Sequence, residues 1–159
     1  MGSARTVTDL ASVEVETPLQ REVAALLAHS DGVAARLYSG EYRRPITCES
    51  LGEPGAHVLV ARLSGTAVGL CVVFERGDGT VEIKRMIVEE SARGCGVGAA
   101  LLSKAHIEAS RLGAHAALLE VGIHNTEAQA LYRGAGYKPR EPFSPYKASP
   151  ISLFMEQAL

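Results

Sequence analysis

The chain has 159 residues, of which 47% are apolar and 21% charged, and its net charge is -2. That length suits one domain spanning 1–159, with enough apolar side chains for a single core. The near-neutral balance offers no field for nucleic acid or an anionic membrane, and no apolar run approaches the ~20 residues of a membrane span.

The opening MGSARTVTDL lacks the apolar stretch of a signal peptide. Cys48, Cys71 and Cys95 are odd in number and widely spaced, which argues against a disulfide framework or zinc site and for a reducing, cytoplasmic setting. The histidines at 29, 57, 106, 115 and 124 show no metal-ligand spacing, so no metal is expected.

ASVEVET (11–17) alternates and predicts a strand. Residues 18–40 predict a helix, or two if Gly32 breaks it, with Pro18 in the first turn. Residues 41–55, with two prolines and two glycines, predict a loop. Three strands follow in 57–88, separated by Ser64-Gly65 and by Gly77-Asp78-Gly79, an antiparallel meander. In the third, TVEIKRMIV, the alternation puts Val81, Ile83 and Ile87 on one face, with Glu82 and Lys84 on the other. It fails at Arg85 and Met86, where a bulge is expected.

A helix is predicted near 98–112, with Leu101, Leu102, Ala105, Ala109 and Leu112 inward and Gly113 at its end. AALLEV (116–121) reads as a buried strand, parallel to the strand before the helix. Another helix is predicted at 126–136. Thr126 and Gln129 fit a capping box, Asn125 is an alternative cap, and Ala128, Leu131, Tyr132 and Ala135 form the inner stripe. YKP predicts a brief strand, FSPYKASP a loop and ISLFMEQ a final strand. The expected fold is α+β: a mixed sheet of six to seven strands flanked by about four helices.

RGCGVG (93–98) lies between a strand and a helix. A helix N-terminus presents unpaired N–H groups and partial positive charge, and glycines let a phosphate approach the backbone. Arg93 can add a forked contact. The stretch therefore reads as a pyrophosphate cradle. A dinucleotide fingerprint competes, with Gly94, Gly96 and Ala99 in place and Glu120 as the ribose ligand, implying an NAD(P)-binding oxidoreductase module. Against it stand the five residues between strand and first glycine, the polar third strand and the single βαβ unit.

The run EIKRMIVEESARGCGVGAALL (82–102) resembles the acyl-CoA binding segment of the GNAT superfamily of N-acetyltransferases. Its Gln/Arg-x-x-Gly-x-Gly/Ala signature is met by Arg93, Gly96 and Gly98. LLEVGIHNTEAQALYRGAGYK (118–138) resembles the family's second segment, a strand, an Asn and then A-x-x-L-Y-x-x-x-G-Y/F. The resemblance implies acetyl-CoA as co-substrate and a small-molecule or peptide amine as acceptor. It implies that Arg93, Gly94, Cys95, Gly96, Val97 and Gly98 hold the pyrophosphate through their N–H groups. Met86, Ile87 and Val88 would pair with the pantetheine arm, Asn125 would meet it midway, and Tyr132 would reach the sulfur. Family analogy also suggests a homodimer. Cys95 stands where relatives often carry a basic or polar residue, and Val121 where they tend to have Thr.

The chemistry asks for a base to deprotonate the ammonium, an N–H for the developing oxyanion and an acid for the departing thiolate. Glu82 is the candidate base, with Tyr146 and Glu120 as weaker ones, and Tyr132 is the candidate acid. Each has a plainer explanation: Tyr132 as a core tyrosine, Glu82 as a solvated strand residue, Asn125 as a helix cap. Cys95 lacks a neighbouring base in sequence, which favours direct attack in a ternary complex. A non-catalytic acyl-CoA sensor domain is the remaining alternative.

Overall fold

The computed structural model describes residues 11–38 and 47–159. Seven strands form one mixed sheet: β1 (Ser12–Val15), β2 (Ala56–Leu63), β3 (Thr66–Glu75), β4 (Thr80–Val88), β5 (Ala116–Gly122), β6 (Lys138–Arg140) and β7 (Ser152–Ala158). Their order across the sheet is β1-β2-β3-β4-β5-β7-β6, and only β4 and β5 run parallel. This rules out the doubly wound sheet that a dinucleotide-binding module requires.

Three α-helices lie among the described residues, α1 (Arg21–Leu37), α2 (Val97–Arg111) and α3 (Thr126–Gly134), against the expected four or so. The predicted 18–40 helix is one helix over its described part. Gly32 does not break α1: a lone helical glycine costs only about 1 kcal/mol, and the buried Val23, Leu26 and Leu27 outweigh that. Pro18 lies outside the helix, because Gln20 is the extended N-cap residue. Of the predicted 41–55 loop, 47–55 contains a 3-10 turn at Ser50–Gly52. Its residues 41–46 lie outside the described part of the chain, as do 39–40 and 1–10.

Both faces of the sheet are covered. Val58, Val60, Leu70 and Val72 pack toward α1, and Leu59, Ala61, Cys71 and Val73 toward α2, as the twofold side-chain alternation of a strand requires. Leu101 and Leu102 of α2 are buried. At roughly 1.5–3 kcal/mol each they more than offset a glycine in the first turn.

The predicted bulge in β4 is present. Leu70 pairs with Ile87 and Val72 with Lys84, so Cys71 alone faces both Arg85 and Met86. Arg85 has a left-handed backbone, φ 56. The extra residue resets the alternation, which corrects the sequence expectation for Ile87: Val81 and Ile83 join the α2-side core, whereas Ile87 joins the α1-side core. β4 pairs with β5 only at Thr80–Ala116, Val81–Ala117 and Glu82–Leu118. Beyond these three pairs the strands part, and a gap opens in the middle of the sheet.

Candidate active site

The glycine stretch is built as a turn into α2. Gly94 (φ 75) and Gly96 (φ 78) are both left-handed, Gly96 is the N-cap residue, and a Cβ on either would meet nothing within 4 Å. These two glycines are therefore required by backbone conformation, and the space over them is open. Gly98 differs: a Cβ there would press on Leu131 of α3 at 3.2 Å, so this glycine serves helix packing as well. Cys95 packs against the α2-side core, leaving the turn's main chain to face outward. Arg93 lies 3.8 Å from Glu127, in the first turn of α3. An open groove of about 430 Å³ runs between α2 and α3, bounded by Ala99, Leu102, Ser103, His106, Leu131 and Ala135. A left-handed glycine turn at a helix N-terminus fits a diphosphate.

Asn125 occupies the N-cap position of α3 but makes no capping hydrogen bond. Its Oδ1 accepts from the Tyr38 hydroxyl at 3.1 Å. The Thr126–Gln129 capping box is not formed. With Asn125 as cap, Gln129 is the fourth helical residue rather than the third, and its amide instead donates to the carbonyls of Gly122 (2.9 Å) and Ile123 (3.0 Å). Ala135, expected on the inner stripe, is exposed as the C-cap residue. Tyr38 stacks on His124, and its hydroxyl also accepts from the His124 N–H.

Tyr132 is 6% exposed and packs on the α2 side of the sheet, with Tyr137 at 5.7 Å between ring centroids. Its hydroxyl makes no hydrogen bond with the described residues, while that of Tyr137 bonds His106 Nε2 at 2.7 Å. Burial pushes the Tyr132 phenol well above its ordinary range, so it is protonated at neutral pH. Burial also pushes the Cys71 thiol, opposite the bulge, up to about 12, which removes it as a nucleophile.

Glu82 is not a solvated strand residue. It is 6% exposed, faces the α1 side, and sits at the last β4–β5 pair, where the gap begins. The Tyr146 hydroxyl donates to its Oε2 at 2.7 Å, and Lys84 Nζ lies 3.8 Å from Oε1. Burial pushes the carboxyl above the ordinary carboxylate range, against the opposing pull of Tyr146, Lys84 and Arg76. Tyr146 is held by edge contact with Phe143, which packs on Phe154. Arg76 fixes the same loop by donating to the Ser144 carbonyl at 2.7 Å. Glu120 is exposed and accepts from Ser152 Oγ at 2.7 Å.

Glu82 and Tyr132 thus lie on opposite faces of the sheet, Glu82 where the gap begins and Tyr132 in the α2-side core, against which Met86 and Val88 pack. Tyr38 and Arg85 were not singled out from sequence as site residues. For Arg85 the broken alternation was a signal; for Tyr38, at the end of α1, there was none.

The sequence profile of the acetyltransferase (GNAT) family matches residues 25–137. An IAA acetyltransferase of Azospirillum brasilense is 40% identical over 145 residues, covering 91% of this chain and 95% of that protein. A Klebsiella pneumoniae protein, provisionally described as an acyl-CoA N-acyltransferase, superposes with a TM-score of 0.81 at 30% identity, covering 95% of this chain and 99% of that one. PaiA N-acetyltransferase from Thermoplasma acidophilum, solved with coenzyme A, shares the fold, with a TM-score of 0.77 at 16% identity over 94% of this chain and 99% of that one. With its central gap, its glycine turn and these likenesses taken together, the chain belongs to the GNAT family of acetyltransferases.

Proposed function

We propose that the chain acts as one domain that takes its acyl donor, acetyl-CoA, from the α2–α3 side and its amine acceptor from the α1 side, the two meeting in the gap between β4 and β5. The observation that carries this reading is that Glu82 sits on one face of the sheet where the gap begins while Tyr132 packs on the other face. A proton acceptor on one side and a proton donor on the other suit direct attack in a ternary complex.

Bound acetyl-CoA supplies the electrophile, an acetyl thioester. Main-chain N–H groups from Gly94 to Gly98 hold its diphosphate; that of Arg93 already donates to the Glu90 carbonyl at 3.2 Å. Main-chain groups of Met86, Ile87 and Val88 continue the sheet toward the arm in the manner of an added strand, and Asn125 meets the arm from α3. Glu82 takes a proton from the acceptor ammonium. The amine nitrogen then forms the new N–C bond as the C–S bond breaks. A main-chain N–H at the bulge stabilises charge on the carbonyl oxygen. Tyr132 gives its proton to the departing sulfur; the nitrogen sheds its second proton to solvent as the amide forms, and Tyr132 is reprotonated from solvent. A thiolate released into surroundings that disfavour the Tyr132 phenolate is itself disfavoured there, which helps that transfer.

Acetyl-CoA at 100 times its Kd should stabilise the fold by ~2.7 kcal/mol, visible as a rise in Tm that NADH does not give. Thiol release on adding amines separates an enzyme from a sensor. No Tm rise with acetyl-CoA would overturn the donor assignment; a rise without thiol release for any amine would favour the sensor.

A further inference from the structure

Tyr132 is placed by the way α3 ends. Gly136 is left-handed, φ 98, one residue past the C-cap. Its N–H donates to the Arg133 carbonyl at 3.0 Å, and the Tyr137 N–H donates to the Tyr132 carbonyl at 3.0 Å. This pair of bonds is a Schellman motif, which also brings an apolar side chain from just past the helix onto its last turn. Here that contact is the Tyr137 ring on the Tyr132 ring, inclined by 60° with centroids 5.7 Å apart.

The motif asks only for an apolar ring at 137, and a phenylalanine would fill the place without a polar atom. Tyr137 instead buries a hydroxyl, being 3% exposed, and such a group costs stability unless it is bonded. Its partner comes from a different helix: His106 Nε2 of α2, at 2.7 Å. Burial pushes the Tyr137 phenol up and the His106 imidazole down, so at neutral pH the phenol donates and the neutral imidazole accepts. The Tyr132 hydroxyl has no such anchor, for it bonds none of the described residues. Its direction is set by its ring. That ring leans on Tyr137, and Tyr137 is fixed at one end to the Tyr132 main chain and at the other to α2.

Resting on the acetyltransferase reading above, we propose that His106 is a positioning residue for the reaction: its bond to Tyr137 fixes the ring that holds Tyr132 in the orientation from which it gives its proton to sulfur. No proton passes through His106 or Tyr137, and the transfer is otherwise unchanged.

The test is thiol release from acetyl-CoA with the fastest amine of a panel of amino acids, their amides, putrescine and a tetrapeptide with a free N-terminus. His106 is half-buried and borders the α2–α3 groove, so replacing it opens no cavity in the core. His106→Leu and Tyr137→Phe should each lower kcat about 10-fold, a part of what a well-placed acid contributes, with KM for acetyl-CoA nearly unchanged. His106→Gln still offers an acceptor and should keep most of the rate. The double variant His106→Leu/Tyr137→Phe leaves neither partner unsatisfied, so it should melt near the wild type while kcat stays low. In a Tyr132→Phe background, itself roughly 100-fold slower, neither change should slow transfer further. Full kcat in both single variants overturns the proposal, as does recovery of kcat along with Tm in the double variant. The same loss in the absence of the Tyr132 hydroxyl also overturns it, since that marks a general packing role. Two further outcomes strike the reading beneath and take the proposal with it: full kcat in Tyr132→Phe removes the acid, and a Tm rise with acetyl-CoA but no thiol release for any amine removes the enzyme.

Discussion

The Tyr146 hydroxyl donates to the buried carboxylate of Glu82 across 2.7 Å. The bond favours the ionised form and so opposes the upward shift that burial imposes. Tyr146→Phe keeps the ring packing on Phe143 and removes the hydroxyl that donates to Glu82. The Glu82 carboxyl should then titrate still higher, and the acid limb of the kcat/KM profile should move to higher pH. A profile that keeps its position while its height falls would leave Tyr146 without a role in setting this ionisation.

Glu82 itself should show opposite effects on rate and stability. A carboxyl whose pKa is raised on folding adds stability while protonated, below its unfolded value, and loses it as pH rises through the folded value. Glu82→Gln replaces a buried charge with a neutral amide that can still accept from Tyr146. It should lower kcat by about 100-fold or more, as expected for loss of a general base, while Tm at about pH 8 holds or rises. The comparison is acetyl transfer beside a thermal melt; a fall in Tm matching the fall in rate would mark Glu82 as structural.

For Tyr132→Phe the ring stays in place beside Tyr137, and the lost hydroxyl has no hydrogen bond to the described residues. Stability should therefore change little. Loss of the proton donor should reduce kcat by roughly 100-fold with KM for acetyl-CoA nearly unchanged. Because burial keeps the phenol protonated, the wild-type alkaline limb should not come from this residue. Steady-state kinetics and a melt of the same preparation check all three points.

What could be read from sequence was whatever depends on neighbours. The glycines at 94 and 96 signal a left-handed turn before a helix by themselves, and the meander follows from its two turn sites. The bulge was visible as a break in alternation, but its consequence was not. One added residue reverses which face each later side chain takes, so Ile87 was placed on the wrong side. The burial of Glu82 was illegible because its cover, Tyr146, arrives 64 residues on. The Gln129 contacts were missed by a single step in the helix register, since Asn125 rather than Thr126 is the N-cap residue.

Tyr38 and Gly122 make the most direct test of how the end of α1 is tied to the site. A Cβ on Gly122 would fall inside van der Waals contact of the Tyr38 hydroxyl and ring. Gly122→Ala must therefore displace Tyr38, breaking its bonds to Asn125 Oδ1 and the His124 N–H. Overpacking of this kind costs about 1–3 kcal/mol. It should also raise KM for acetyl-CoA if Asn125 meets the arm. Tyr38→Ala loses the same bonds but removes the obstacle. Adding Gly122→Ala to it should then cost almost nothing, so the double variant should melt close to Tyr38→Ala alone. Contacting residues that share one cause of loss give such non-additivity. If the two losses simply add, Tyr38 does not occupy this notch in solution, and the tie between α1 and Asn125 is lost with it.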